Sequence, residues 1–595
     1  MATKSPRAQP TVSPPRKRAA PKKAAEAPPD SAPEASSNRI EDAAARNTLA
    51  VNPLIGLNPR DFGEGAQAIF STFITQPANA AKHLGAYAKA LGQVLRGKKD
   101  GEAVPDAKDR RFADPAWQHS PVHRRLQQAH ATTGAALNDY LDSVKLKPRD
   151  KARAKLVASI YIDAIAPSNT LMNPAALKRA IDSGGLSLLK GAKNLVHDLR
   201  HNGGLPSSVD KSKFAFGHNI CLSPGAVIFR NEVLELIQYT PSTPEVLRRP
   251  LVVCPPQVNK FYALDLSPEK SFVKFAVDAG VQVFAVSWRN PTKAQRDWDM
   301  STYVEALDEA VDVARKISGS PDVSLWGACS GGMTAAAYLG WLAATGQGGK
   351  VVNVISPVCV LDPTKAADTT MGLLVTPESL KALRATVKKR GYVDGNEMAR
   401  VFAWLRPNDL IWNYWVNNYL MGNDPPAFDI LFWNADTTRL PAAFHSDLLA
   451  IFELSPFVNA GKMLVMDEPI DMQQVKVDAY IVAGITDHIT PWKACYDTAR
   501  IYGPGSEFVL ANAGHLQSLL NPPGAPKAYF FAGKATAADA DAWAGGAARE
   551  EGSWWPHWFR WISARSGERV AAPKKPGNRK YRAMEAAPGS YVLEA

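Results

Sequence analysis

The residues with the most chemical content are a cysteine, an aspartate and a histidine in the second half of the chain. Val323–Gly332 reads as strand, tight turn and helix. Within it, Gly327-Ala-Cys329-Ser-Gly331 sets a cysteine among small residues. The form G-x-nucleophile-x-G marks a strained elbow with no room for larger side chains beside the central one. A helix starting at this point aims its free N–H groups and positive dipole end at the sulfur, which favours the thiolate. A thiolate suits acyl exchange with thioesters, because the product is another thioester of similar energy. Asp487 follows a strand expected over Val477–Ala483, where it can orient a histidine. His515 follows a strand expected over Glu507–Leu510, in the Gly-containing loop Ala511-Asn-Ala-Gly-His515. His488 adjoins Asp487 too closely for comfortable triad geometry and is given a supporting role; His445 lies in an aromatic-rich insert and could face the site. The oxyanion of a tetrahedral intermediate needs two N–H donors. The backbone of Ser330 is one candidate, and Val258 or Asn259 is the other, since Pro255 and Pro256 have no N–H to offer.

These residues need a frame. From about residue 225, apolar segments alternate with helical ones: Ala226–Phe229 and Val233–Tyr239 as a strand pair, then strands at Pro250–Cys254, Val281–Trp288, Val323–Trp326 and Val351–Ser356, separated by helices over 267–279, 301–317 and 331–346. Short buried strands alternating with helices imply a mostly parallel sheet covered on both faces. The order Cys329, Asp487, His515 is the nucleophile–acid–histidine order of the α/β-hydrolase fold, and all three fall at expected C-terminal strand ends. The expected division is a Pro/Ala/Lys-rich disordered tail (1–48), a mainly helical N-terminal domain (49–222), an α/β catalytic domain (223–568) with a helical lid insertion (362–455), and a basic C-terminal tail (569–595). The insert carries Phe402, Trp404, Trp412, Tyr414, Trp415, Tyr419, Phe428, Phe432, Trp433 and Phe444. It suits exclusion of water from a reactive acyl group.

The remaining signals limit the function classes. Ile69, Phe70, Phe73 and Ile74, then Leu84, Tyr87, Leu91, Val94 and Leu95, form apolar stripes at helical spacing. They are expected to pack on the neighbouring domain rather than attach to a hydrophobic surface. Trp554, Trp555, Trp558 and Trp561 are expected to pack a late helix onto the core. The net charge of +12 is concentrated in the tails: residues 1–40 hold eight Lys/Arg against three Asp/Glu. The tails are read as solvated, and with no recognition motif a nucleic-acid role is not expected. Five widely spaced cysteines argue for a reducing compartment. No Cys/His cluster has metal-ligand spacing, no apolar run reaches 18 residues, and the start lacks the apolar stretch of a secretory signal.

Taken together, Asn52-Pro-Leu-Ile-Gly56, Asp109-Arg-Arg-Phe-Ala-Asp-Pro-Ala-Trp117, Val258-Asn-Lys-Phe-Tyr262, Ser287–Arg296, Gly327-Ala-Cys-Ser-Gly-Gly332, Asp487-His-Ile-Thr-Pro-Trp492 and Gly514–Pro523 resemble the polyhydroxyalkanoate synthases, from about residue 50 to the C-terminus. The wording around Ser287–Arg296 and the Ala328 before the cysteine are similar to the class II, medium-chain type. The resemblance implies polymerisation of (R)-3-hydroxyacyl-CoA with CoA as leaving group and no cofactor, with a triad of Cys329, Asp487 and His515. It also implies a homodimer in the bacterial cytoplasm, at the surface of polyester granules beside phasin-type proteins. An acyl-CoA thioesterase or polyester depolymerase of the same fold is the nearest alternative. A granule-coat scaffold is the non-enzymatic one.

Overall fold

The computed structural model describes residues 59–97, 109–366, 377–405, 407–487 and 489–595. The expected tail over 1–48, the Asn52–Gly56 motif and His488 lie outside the described residues. The first described helices are α1 (Pro59–Thr75), α2 (Pro77–Leu95), α3 (Pro121–Ser143), α4 (Pro148–Ala164), α5 (Pro174–Asp182) and α6 (Leu186–His201). Helices α2 to α5 each begin with proline, whose missing N–H is one that the first turn leaves unpaired anyway. Helices α1 to α4 enclose a small core of Ala80, Tyr140, Leu141, Val144, Ala154 and Ala158.

The apolar stripes depart from expectation. Val94 is buried, but Phe70, Ile74, Leu84 and Leu95 are each more than 60% exposed. The reason is that these helices pack mainly on one another, so only part of each stripe faces inward. Contact with the rest of the chain includes polar groups. Asn194 on α6 donates to the carbonyls of Asn418 (3.0 Å) and Asn423 (2.9 Å), and Tyr419 donates to Asp198 at 2.7 Å. Arg111 joins Asp109, Asp163 and Asn408.

The chain then builds β1 (Gly225–Arg230), β2 (Leu234–Tyr239), β3 (Leu251–Cys254), α7 (Phe272–Asp278), β4 (Val283–Trp288), α8 (Met300–Ser318), β5 (Val323–Gly327), α9 (Cys329–Ala344) and β6 (Val351–Pro357). An insert follows with α10 (Pro377–Arg390), α11 (Gly395–Leu405), α12 (Asp429–Asn434) and α13 (Ala442–Leu454). After it come β7 (Asp478–Gly484), α14 (Trp492–Tyr502), β8 (Glu507–Ala511), α15 (His515–Leu519), β9 (Tyr529–Lys534), β10 (Ala548–Glu551), α16 (Trp555–Ser563) and β11 (Glu585–Ala586). One eleven-stranded sheet has the order β10-β9-β8-β7-β6-β5-β3-β4-β2-β1-β11. Its six central strands, β4 to β8 with β3, are parallel. Antiparallel strands extend both edges. Every residue of β3, β4 and β5 is buried, as expected for strands covered on both faces.

Helix positions follow from local chemistry. Asp299 caps α8 by accepting the N–H of Thr302 at 2.9 Å, and Gly319 ends it at φ 68°. Helix α9 is buried almost all round, so it depends on small residues. A Cβ on Gly332 would lie 2.7 Å from the sulfur of Cys359, and one on Gly331 would collide with the carbonyl of Cys254. The tryptophans Trp554, Trp555, Trp558 and Trp561 are buried and face Phe272 and Tyr480, as expected.

The segment 569–595 is not a solvated tail. Arg569–Ala571 pairs with Glu245–Leu247, and β11 pairs with β1. The fully buried Glu235 accepts from Arg230 and from the backbone N–H of Ser590 and Tyr591. Lys260 donates to the carbonyl of Val592 at 2.7 Å. A charge-rich composition concealed a strap whose backbone completes the sheet edge.

Candidate active site

Strand β5 and helix α9 meet at Cys329, the first residue of the helix. Its φ is 49°, a left-handed conformation that costs a non-glycine residue of order 1–3 kcal/mol. Ala328, extended at φ −103° and ψ 147°, is the residue before the turn. The five cysteines are all unpaired, and four are buried; Cys329 alone is half-exposed. Burial pushes the Cys359 thiol up to about 12 and those of Cys221, Cys254 and Cys495 well above their usual range. Those four stay protonated and inert, which leaves the elbow sulfur as the candidate for chemistry.

Asp487 stands just beyond β7 and His515 opens α15 just beyond β8, both deeply buried. His515 Nδ1 lies 2.7 Å from Asp487 Oδ2. The same carboxylate accepts the N–H groups of Ile489 (2.9 Å) and Thr490 (3.0 Å) and the hydroxyl of Thr490 (2.6 Å). Four hydrogen bonds to one carboxylate, each worth about 1.5–3 kcal/mol when a charge is involved, offset the several kcal/mol that burying it costs. Burial alone would raise the Asp487 carboxyl; the charge and hydrogen bond of His515, with Thr490, hold it below its ordinary value. Burial likewise opposes the imidazolium of His515, but the charge and hydrogen bond of Asp487 and a hydrogen bond with the Cys329 side chain push its pKa up to about 10. The imidazole therefore hydrogen-bonds Asp487 and interacts with the Cys329 side chain, and a proton passed to it from the sulfur is held firmly.

The loop after β3 closes the other side. The N–H of Gln257 donates to Ser330 Oγ at 3.2 Å, which ties the loop to the elbow. Trp288 Nε1 donates to the carbonyl of Pro255 at 2.8 Å. Val258, Asn259 and Ser330 are all buried in this corner. Among the described residues, neither the Nδ2 nor the Oδ1 of Asn259 has a partner.

The insert seals the same loop. Thr438 donates to the carbonyl of Gln257 (2.6 Å), Trp433 Nε1 to that of Lys260 (2.7 Å), and Tyr262 to Asp436 (2.8 Å). Lys260 forms an ion pair with Asp436 at 2.8 Å. Tyr414, Trp433 and Phe444 are buried, so much of the insert's aromatic content serves its own packing, whereas Trp404 is 39% exposed. His445 is buried within α13. The sequence reading passed over Gln257, Thr438 and Thr490. Thr490 carried a legible signal three residues after Asp487, where its hydroxyl returns to the carboxylate; Gln257 and Thr438 meet only through the insert.

Comparison with known proteins agrees with this frame. Residues 108–276 match the family described as poly-beta-hydroxybutyrate polymerase (PhaC) N-terminus, and residues 361–522 match the alpha/beta hydrolase fold. A protein named poly(3-hydroxyalkanoate) polymerase 1, from Ectopseudomonas oleovorans, is 49% identical over 557 residues, 94% of this chain and 99% of its own length. The chain belongs to the poly(3-hydroxyalkanoate) polymerase family. It is an enzyme of the acyltransferase type with the α/β-hydrolase fold. Poly(3-hydroxyalkanoate) polymerase 2 of the same organism is 47% identical over 91% of this chain and 96% of its own. The polymerase subunit PhaC of Cupriavidus necator is 38% identical over 84% and 86%. Among the described residues, no helix is long and apolar enough to cross a membrane.

Proposed function

We propose that this chain polymerises (R)-3-hydroxyacyl-CoA into polyester with release of CoA, through an acyl thioester on Cys329. His515, oriented by Asp487, takes the thiol proton. The sulfur attacks the thioester carbonyl, the C–S bond to CoA breaks, and CoA leaves with a proton returned by the imidazolium. The oxyanion is held by the N–H of Ser330 and one from Val258 or Asn259. His515 then deprotonates the 3-hydroxyl of an incoming (R)-3-hydroxyacyl-CoA, which attacks the enzyme thioester. The C–S bond to Cys329 breaks, the sulfur regains the proton from the imidazolium, and the lengthened acyl-CoA, now carrying an oxoester, re-acylates Cys329 as CoA leaves. Because an oxoester is less reactive than a thioester, each addition runs downhill. General-base help of this kind is worth roughly 10²–10⁴-fold.

The observation that carries the reading is one buried imidazole, hydrogen-bonded to Asp487 and interacting with the half-exposed Cys329 of the strained elbow. The insert bound over the loop after β3 supports exclusion of water, which would otherwise hydrolyse the acyl enzyme. The reading includes attachment to polyester granules, which the exposed Phe70, Ile74, Leu84 and Leu95 support. The test is incubation of purified protein with (R)-3-hydroxyacyl-CoA, with a thiol dye to follow CoA and mass analysis of the product. High-mass polyester from the native chain and no CoA release from Cys329→Ala are expected. Free hydroxy acid as the sole product would instead indicate a thioesterase.

A further inference from the structure

The loop 289–297 leaves the C-terminal end of β4, on the sheet edge where β5 delivers Cys329. Only β3 lies between those strands, so the lateral offset is two inter-strand spacings, roughly 10 Å. Against this loop comes the last turn of α10, which carries Lys388, Lys389 and Arg390. Arg296 Nη2 donates to the carbonyl of Lys388 at 2.8 Å, and a Cβ on Gly391 would lie 2.9 Å from Cγ of Lys293. Arg439 closes the group: its N–H donates to Asn290 Oδ1 (2.9 Å), its Nε donates to the carbonyl of Pro291 (2.7 Å), and it shares the ring of Tyr392 with Arg390. Arg439 is also covalently next to Thr438, which bonds Gln257, which bonds Ser330. Six cations thus lie on the rim of the catalytic corner.

Acidic neighbours only partly balance them. Glu397 pairs with Arg390, Asp297 is 3.9 Å from Arg296, and Asp394 caps α11. Glu594 is taken by Arg289, and Arg439 Nη2 donates to the oxygen of Ala595 at 2.8 Å. Lys293, Lys388 and Lys389 are exposed and form no ion pair among the described residues. Basic residues at the end of a helix complement its carbonyls, which accounts for Lys388 and Lys389 but not for Lys293, Arg296 and Arg439 converging from other segments.

We propose that this rim, Lys293, Arg296, Lys388, Lys389, Arg390 and Arg439, receives the phosphates of the substrate's nucleotide, the 3′-phosphate and diphosphate of CoA. The inference rests on the reading that the substrate is a CoA thioester. A pantetheine arm is long enough to span the offset from rim to sulfur. Guanidinium groups match phosphate geometry in a bidentate way, and lysines add point charge.

The test compares the native chain with a Lys293→Glu/Lys388→Glu/Lys389→Glu variant. KM is measured for (R)-3-hydroxyacyl-CoA and for the same acyl group on pantetheine, which lacks the nucleotide. Binding of adenosine 3′-phosphate 5′-diphosphate is measured by calorimetry. The expected result is a KM raised roughly tenfold or more for the CoA thioester, no comparable rise for the pantetheine thioester, and loss of nucleotide binding. An equal change for both substrates, or nucleotide binding as in the native chain, would overturn the proposal. Should neither thioester turn over, the polymerase reading fails, and calorimetry still decides whether the rim holds the nucleotide.

Discussion

At the scale of the residue, the site works because four groups leave one another little freedom. Cys329 is held in a left-handed turn, His515 spans it and Asp487, and Thr490 fixes the carboxylate. Asp487→Asn is expected to lower kcat by roughly 10²–10⁴-fold, since the imidazole loses its orientation and the charge that supports it. The same variant tests the electrostatics. His515, raised to about 10, contributes stability fully present below its unfolded value near 6.5 and lost as pH rises through 10. Asp487, lowered, contributes stability present above its unfolded value near 3.8 and lost as pH falls through its folded value. The thermal gap between native and variant protein is therefore expected to be widest between about pH 4 and 6.5 and to shrink towards pH 10; a gap that grows with alkalinity would contradict the pairing. The placement of Cys329, Asp487 and His515 at C-terminal strand ends was legible in sequence because each follows an apolar run and stands among turn-forming residues. Thr490 and Gln257 were not, because a hydroxyl or amide declares its role only through what it touches.

At the scale of the element, helix α9 and the clasp from the insert set the site's tolerances. Gly331→Ala forces a methyl group onto the carbonyl of Cys254 and is expected to cost about 1–3 kcal/mol in denaturant unfolding. Activity should fall as well, because the displaced backbone carries Ser330. The clasp has a different signature. Thr438→Val removes the donor to the buried carbonyl of Gln257, leaving it unsatisfied at about 1–3 kcal/mol. With the loop loosened, water should reach the acyl enzyme, and the ratio of free hydroxy acid to polymer should rise in product analysis. The central strands matched their sequence readings within one or two residues, because full burial on both faces writes a continuous apolar run. The insert gave no such pattern: its aromatics are shared between internal packing, as for Trp433, and exposure, as for Trp404.

At the scale of the whole molecule, the chain closes on itself. The segment after residue 569 returns to the far edge of the sheet, covers Glu235, and reaches Lys260 beside the catalytic corner. Composition alone hid this, because five Lys/Arg between 574 and 582 look like a solvated tail while the β-pairing residues that follow are few. The N-terminal helices likewise left part of their apolar stripes outward, which no periodicity reveals, since a stripe does not say what it faces. Deleting residues 585–595 strips partners from a buried carboxylate and is expected to destabilise the fold by about 3–5 kcal/mol, read as a lower denaturation midpoint. The central claim, however, lies on one sulfur. Native protein mixed with (R)-3-hydroxyacyl-CoA, quenched in acid within a turnover and digested, should yield an acylated peptide whose added mass sits on Cys329 and disappears with hydroxylamine. Acylation of any other side chain, with the Cys329 peptide unmodified while CoA is released, would contradict the account.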